Sequence, residues 1–143
     1  VLGAKNSGLP MVVVTGGEPC MYNLKPLTTA LKKEGLKIHL ETSGAHPILG
    51  DFDWITVSPK KFKACLPDSY LKADELKVVV VNKHDLKWAR EQAVNVKDDT
   101  LLYLQPEWDR KEQVHGIIKE FLGSGEGRVW SLSTQTHKYL GIP

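Results

Sequence analysis

The sequence predicts an α/β fold, an incomplete TIM-like barrel of mainly parallel strands formed by residues 1–143 as a single domain. Three observations carry this expectation. Short apolar, β-branched runs alternate with helical periodicity from Met11 onward, the pattern of β–α–β units and hence of a parallel sheet. The run LKVVVV, residues 76–81, is continuous rather than alternating, as expected of a strand buried on both faces. The connections 45–54 and 59–71 are too irregular for full crossover helices, so a regular eight-fold barrel is not expected.

Each element has a local reason. MVVVT (11–15) is a β-branched run that stops at Gly16-Gly17, and such residues favour strands. From Leu24 to Glu34, Leu24, Leu27 and Leu31 recur on one helical face. Asn23 precedes them as N-cap, Pro26 lies in the first turn and Gly35 stops the helix. LKIHLETSG (36–44) and WITVSPK (54–60) read as the second and third strands. After the fourth, 76–81, HDLKWAREQAV (84–94) is helical, with Asp85 as cap and Leu86, Ala89 and Ala93 inward. LLYLQPEW (101–108), RKEQVHGIIKEFL (110–122) and RVWSLST (128–134) supply a strand, a helix and a strand, and GSGEG (123–127) is the loop between the last two.

Composition narrows the function classes. A net charge of +2 with 25% charged residues gives no strong field, so neither nucleic acid nor a membrane is expected as partner. No apolar run is long enough to span a bilayer, and no signal-peptide pattern opens the chain. Cys20 and Cys65 stand in no CxxC spacing; they fit a reducing cytoplasm and read as small buried or half-buried hydrophobes. The chain starts Val1-Leu2-Gly3-Ala4 without an initiator Met. The expectation is the later part of a longer polypeptide, with a processed or tagged terminus as the alternative.

Residues with chemistry gather at strand ends: TGGEP after the first strand, ETSG after the second, SPK after the third, QPEW after the fifth and TQTHK after the last. In a parallel sheet the carboxyl ends share one rim, where ligands bind. Two glycines before Glu18 suggest backbone that comes close to something and a charge that meets it. Plainer readings exist for each cluster. The glycines can simply turn a strand into a helix, with Glu18 facing the helix dipole. Lys60 can be solvated, Gln105-Pro106 a strand stop, and His137 an ordinary core or surface histidine. The shared topological position favours the ligand reading.

VVVTGGEP resembles the GGE motif of radical S-adenosylmethionine enzymes. Together with HLETSGAHP, VSPKKFKA, ADELKVVV, YLQPEW and QTHKYLGIP, it resembles the 7-carboxy-7-deazaguanine synthase family over nearly the whole chain and in the same order. The resemblance implies a radical S-adenosylmethionine-type partial barrel and a lyase of queuosine-type deazaguanine biosynthesis. Its substrate would be 6-carboxy-5,6,7,8-tetrahydropterin, contracted to 7-carboxy-7-deazaguanine with loss of ammonia. It also implies a reduced 4Fe–4S cluster that cleaves S-adenosylmethionine to start hydrogen abstraction, and an assisting Mg2+. Partners implied are a flavodoxin-like electron donor and a second copy in a homodimer.

Carried over by position, the resemblance puts Gly16 and Gly17 against the methionine portion of S-adenosylmethionine, with Glu18 near its ammonium. Thr15 would bond the pterin. Ser58 and Lys60, with Pro59 shaping the loop, would hold the ribose and carboxylate region of the cosubstrate, which Gln105 would also face. His137 would act on the substrate, and the terminal carboxylate of Pro143 would reach back to it. One departure matters: the family's cluster is held by three cysteines in a loop ending in CxxC, and no such triplet occurs here. The expectation is therefore that cluster and Mg2+ ligands belong to an amino-terminal part this chain lacks, that none of its own residues ligates metal, and that it is inactive alone. Other readings are a glycyl-radical activase, which would keep GGE but leave SPKK and QTHKYLGIP unused, a cluster-free nucleotide-binding α/β module, and a purely structural role for every motif.

Overall fold

A computed structural model describes residues 1–141, with His137 described by its backbone alone. Six strands form one sheet: β1 (Met11–Val14), β2 (Lys37–Thr42), β3 (Trp54–Val57), β4 (Glu75–Val80), β5 (Leu101–Pro106) and β6 (Trp130–Leu132). They lie side by side in sequence order, and every neighbouring pair is parallel. Because parallel crossovers are right-handed, an order that never reverses keeps every connection on the same side of the sheet. The described strands do not close on themselves, so the partial barrel expected from the sequence is what forms.

The helices are α1 (Leu2–Asn6), α2 (Lys25–Lys33), α3 (Pro67–Lys72), α4 (His84–Ala93), α5 (Lys111–Gly123) and α6 (Thr136–Tyr139). Of these, α2 packs on β2, α3 on β3, α4 on β4 and α5 on β5. Beneath them Ile38, Leu40, Val57, Leu76, Val78, Val80 and Leu104 are fully buried. Each large aliphatic side chain removed from water contributes roughly 1.5–3 kcal/mol, so this helix-covered face holds the sheet together. No helix spans the β2–β3 connection; there Ile48 from the loop closes over Cys20, Leu24 and Leu40.

The strand at 76–81 departs from expectation. Its burial alternates along β4, with Leu76, Val78 and Val80 inside and Glu75, Lys77 and Val79 half-exposed. A one-sided helix layer explains this, since the second face has no apolar cover. In α2 the inward stripe is Leu24, Thr28 and Leu31, whereas Leu27 is 36% exposed at its margin. Thr28 is tolerated inside because its hydroxyl donates to the Lys25 carbonyl (3.2 Å) and accepts from the Asp51 N–H (3.2 Å). Asn23 is one residue too early to be the N-cap, which is Leu24; its Oδ1 accepts from the Lys25 N–H at 3.1 Å. Nor is Asp85 a cap: it is the second residue of α4, buried, and bonds backbone that precedes the helix. The short helices α1 and α3 carry no periodic apolar signal long enough to announce them.

Candidate functional site

The uncovered face of the sheet and the loops at its carboxyl rim enclose a chamber of about 590 Å³. Thr15, Gly16, Gly17 and Glu18 just after β1, Ser58 and Lys60 just after β3, and Gln105 near the end of β5 all line it. These strand ends are far apart in sequence, and the parallel register alone brings them to one mouth. Pro59 is buried between two lining residues, where its fixed φ shapes the turn without touching the chamber. Ser133, Thr134 and Gln135, just past β6, form part of the wall.

Gly16 takes φ +91°, a conformation that side chains disfavour. Gly17 has no such constraint, yet a Cβ built on it meets nothing within 4 Å, so its bareness leaves chamber space open. Glu18 then turns back into the protein. One carboxylate oxygen accepts from the Cys20 N–H (3.1 Å) and the Thr42 hydroxyl (2.5 Å). The other accepts from the Ser43 N–H (2.8 Å) and the Ser43 hydroxyl. Burial is the largest influence on this group and pushes its pKa up, but the Ser43 and Thr42 donors and the two amides outweigh it, so the carboxyl lies below its ordinary range. Glu18 is a fixed negative charge at the rim.

Lys60 is the complement. It is half-buried, and its ammonium donates to the Ser58 hydroxyl at 3.2 Å. Burial and the nearby Lys77 ammonium lower its pKa, opposed by Glu18 and Glu41. No carboxylate among the described residues forms an ion pair with it. A half-buried cation without a counter-ion favours an anionic ligand.

The sequence reading did not single out the chamber's deeper side chains. Glu41 and Lys77 pair at 3.0 Å across β3, and His39 and Trp54 lie with ring centroids 6.2 Å apart. Glu75 is pushed above its ordinary carboxylate range, chiefly by burial. The available signal was period two: His39 and Glu41 in β2, and Glu75 and Lys77 in β4, put polar groups at alternate positions of otherwise apolar strands.

For a metal cluster the residues do not fit. Among the described residues no group of three or more His, Cys, Asp or Glu side chains is placed to hold a metal ion. Burial pushes the Cys20 thiol up and the Cys65 thiol to about 11, away from the thiolate that iron requires. The backbone of His137 lies in α6, which packs on the QPEW segment through an edge-on contact of Tyr139 with Trp108 (4.9 Å). The His137 side chain and Pro143 lie outside the described residues.

No protein-family model matches the chain. The 7-carboxy-7-deazaguanine synthase of Flavobacterium psychrophilum is 46% identical over 132 residues, covering 92% of this chain and 62% of that protein. The synthase of the same name from Prochlorococcus marinus is 38% identical over 163 aligned residues, 97% of this chain and 71% of that one. A crystal structure of QueE from Escherichia coli matches with a TM-score of 0.73 at 31% identity, over 94% of this chain and 60% of that chain. This chain therefore spans 62% of the length of its Flavobacterium relative. Such identity along nearly all of its residues, on a shared fold, makes the chain a member of the 7-carboxy-7-deazaguanine synthase family.

Proposed function

We propose that these residues form the ligand-binding part of a radical S-adenosylmethionine enzyme, a lyase that converts 6-carboxy-5,6,7,8-tetrahydropterin to 7-carboxy-7-deazaguanine with loss of ammonia. The observation that carries this reading is the half-buried Lys60 ammonium, without a carboxylate partner, in the same chamber as the bare Gly16-Gly17 backbone. A zwitterionic amino-acid end on a nucleoside satisfies both features.

In this reading Gly16 and Gly17 admit the methionine portion, and Lys60 neutralises its carboxylate while the Ser58 hydroxyl meets the ribose. Each oxygen of Glu18 already accepts two donors. Its attraction for the ligand ammonium therefore acts through charge, with the rotatable hydroxyls of Thr42 and Ser43 free to redirect. Pro59 keeps Ser58 and Lys60 in register, Gln105 faces the cosubstrate, and Thr15 bonds the pterin. The roles of His137 beside the substrate and of the Pro143 carboxylate rest on the family resemblance. Bound S-adenosylmethionine would supply the hydrogen-abstracting group. The 4Fe–4S cluster and Mg2+ find no ligands among the described residues, and no step here is derived through them; their ligands would come from outside these 143 residues. A reducing cytoplasmic setting, a flavodoxin-like electron donor and a homodimer complete the proposal; two unpaired cysteines accord with the first.

The test uses full-length protein reconstituted anaerobically with iron and sulfide. Wild type is expected to convert the carboxy-tetrahydropterin, and His137→Ala to slow turnover by about a hundredfold, as loss of an acid–base group does. Wild type with an intact cluster and no turnover of that pterin overturns the substrate assignment. Full-length protein that is cluster-free when purified anaerobically supports the cluster-free module instead.

A further inference from the structure

Lys61 follows the chamber lysine directly yet turns away from the chamber. Its ammonium pairs with Asp85, whose side chain is 3% exposed, and lies 5.5 Å from the centroid of the Trp88 ring. The other Asp85 oxygen accepts from the N–H groups of Val81 (2.7 Å) and Asn82 (2.9 Å), in the turn that follows β4. One buried carboxylate thus ties the loop after β3 to the loop after β4.

The sheet makes this tie necessary. β3 and β4 share only two register pairs, Thr56 with Glu75 and Val57 with Leu76. Toward the rim, Lys77–Val80 pair with β5 alone, so no backbone ladder joins the Ser58–Lys60 turn to its β4 neighbour. On its other flank the Ser58 N–H reaches the Thr42 carbonyl at 2.8 Å, and Lys63 reaches His46 at 2.7 Å.

We propose that Lys61 and Asp85 are a positioning pair, which holds the Ser58–Pro59–Lys60 turn against the end of β4 and so fixes the Lys60 ammonium in the chamber. Neither touches the ligand. The pair deepens the proposed cosubstrate site and rests on that reading for its consequence, though not for its geometry. Burial, the largest influence on Asp85, raises its pKa, but Lys61 and the two amides more than offset it and keep the group charged. Losing Lys61 would leave that buried charge short of its partner.

Lys61→Met is the primary variant, because the Lys61 side chain is half-exposed and its loss leaves the core packed; Asp85→Asn serves as the second. Lysine acylation at fixed pH, followed by peptide mass spectrometry, reads Lys60 directly, and amide exchange reads residues 58–64. In Lys61→Met, Lys60 labelling and local exchange of residues 58–64 are expected to rise about tenfold, and by more than exchange in the rest of the sheet, as for a local opening. Lys61→Arg should restore both. Affinity for S-adenosylmethionine in the full-length protein should fall about tenfold in Lys61→Met, equivalent to about 1.4 kcal/mol. Unchanged Lys60 labelling and exchange in Lys61→Met overturns the positioning role, even where Asp85→Asn unfolds. Wild type that binds no S-adenosylmethionine overturns the cosubstrate reading instead, while the labelling comparison still decides the clamp.

Discussion

At position 16 the backbone turns through φ +91°, whereas at position 17 it does not leave the ordinary range. Adjacent glycines are thus required for different reasons. Gly16→Ala is expected to lower stability by about 1 kcal/mol through backbone strain, read as a shift in urea midpoint. Gly17→Ala should leave the midpoint almost unchanged, because its Cβ meets nothing within 4 Å, but weaken S-adenosylmethionine binding roughly tenfold by occupying close-contact space. The sequence raised the question of the paired glycines, but only the dihedral and the empty volume separate them. Glu18 was legible as a rim charge from its place at the end of the first strand, alongside the other polar strand ends. Its four donors were not, because two of its partners, Thr42 and Ser43, come from the end of a different strand.

Elements whose cause is local were read correctly. β1 to β5, α2, α4 and α5 follow apolar periodicity, and Gly35 at φ +73° ends α2 as its position implied. What failed depended on tertiary contacts. Asp85 looked like a cap because it opens a helix; its bonds to the Val81 and Asn82 N–H groups and to Lys61, 24 residues earlier, make it a buried hub. Arg128 gave no signal at all. Its Nη1 donates to the Ala93 carbonyl (2.9 Å), and the Nη2 hydrogens are shared among the carbonyls of Lys97 (2.8 Å), Asp98 (3.0 Å) and Thr100 (2.9 Å). One side chain thereby fastens the segment leading into β6 to the loop between α4 and β5. Arg128→Ala should cost about 2 kcal/mol by urea unfolding, because carbonyls lose charge-assisted donors. Arg128→Lys should recover only part of it, since an ammonium cannot reproduce the guanidinium's spread of donors.

For the molecule as a whole, stability should peak at neutral pH. Glu18 and Asp85 sit below their ordinary values of 4.5 and 3.8, so the folded state holds their protons less tightly than the unfolded chain does. Their contribution is complete above the ordinary values and is lost as pH falls through the lowered ones. Glu75 works the other way: burial raises it, and the cost of ionising it is relieved as pH falls. Burial also lifts Cys65 from 9.0 to about 11, so stability declines as pH rises across that interval. Urea midpoints recorded between about pH 3 and about pH 11 should trace this dome, and Glu18→Gln should flatten its acid limb. The fold class was legible because strand–helix alternation dictates a parallel sheet. That one face would be polar is signalled only by the alternate positions His39, Glu41, Glu75 and Lys77, and the valines of LKVVVV mask that alternation in β4.

A layer of helices on one side only divides the strand residues by parity. Val13 in β1, His39 and Glu41 in β2, Trp54 and Thr56 in β3, Glu75, Lys77 and Val79 in β4 and Gln105 in β5 line the chamber; their neighbours Ile38, Leu40, Val57, Leu76, Val78, Val80 and Leu104 are buried beneath the helices. Substitutions along the first set can therefore reshape the chamber wall without loosening the packing beneath the helices, and the two sets are free to drift at separate rates.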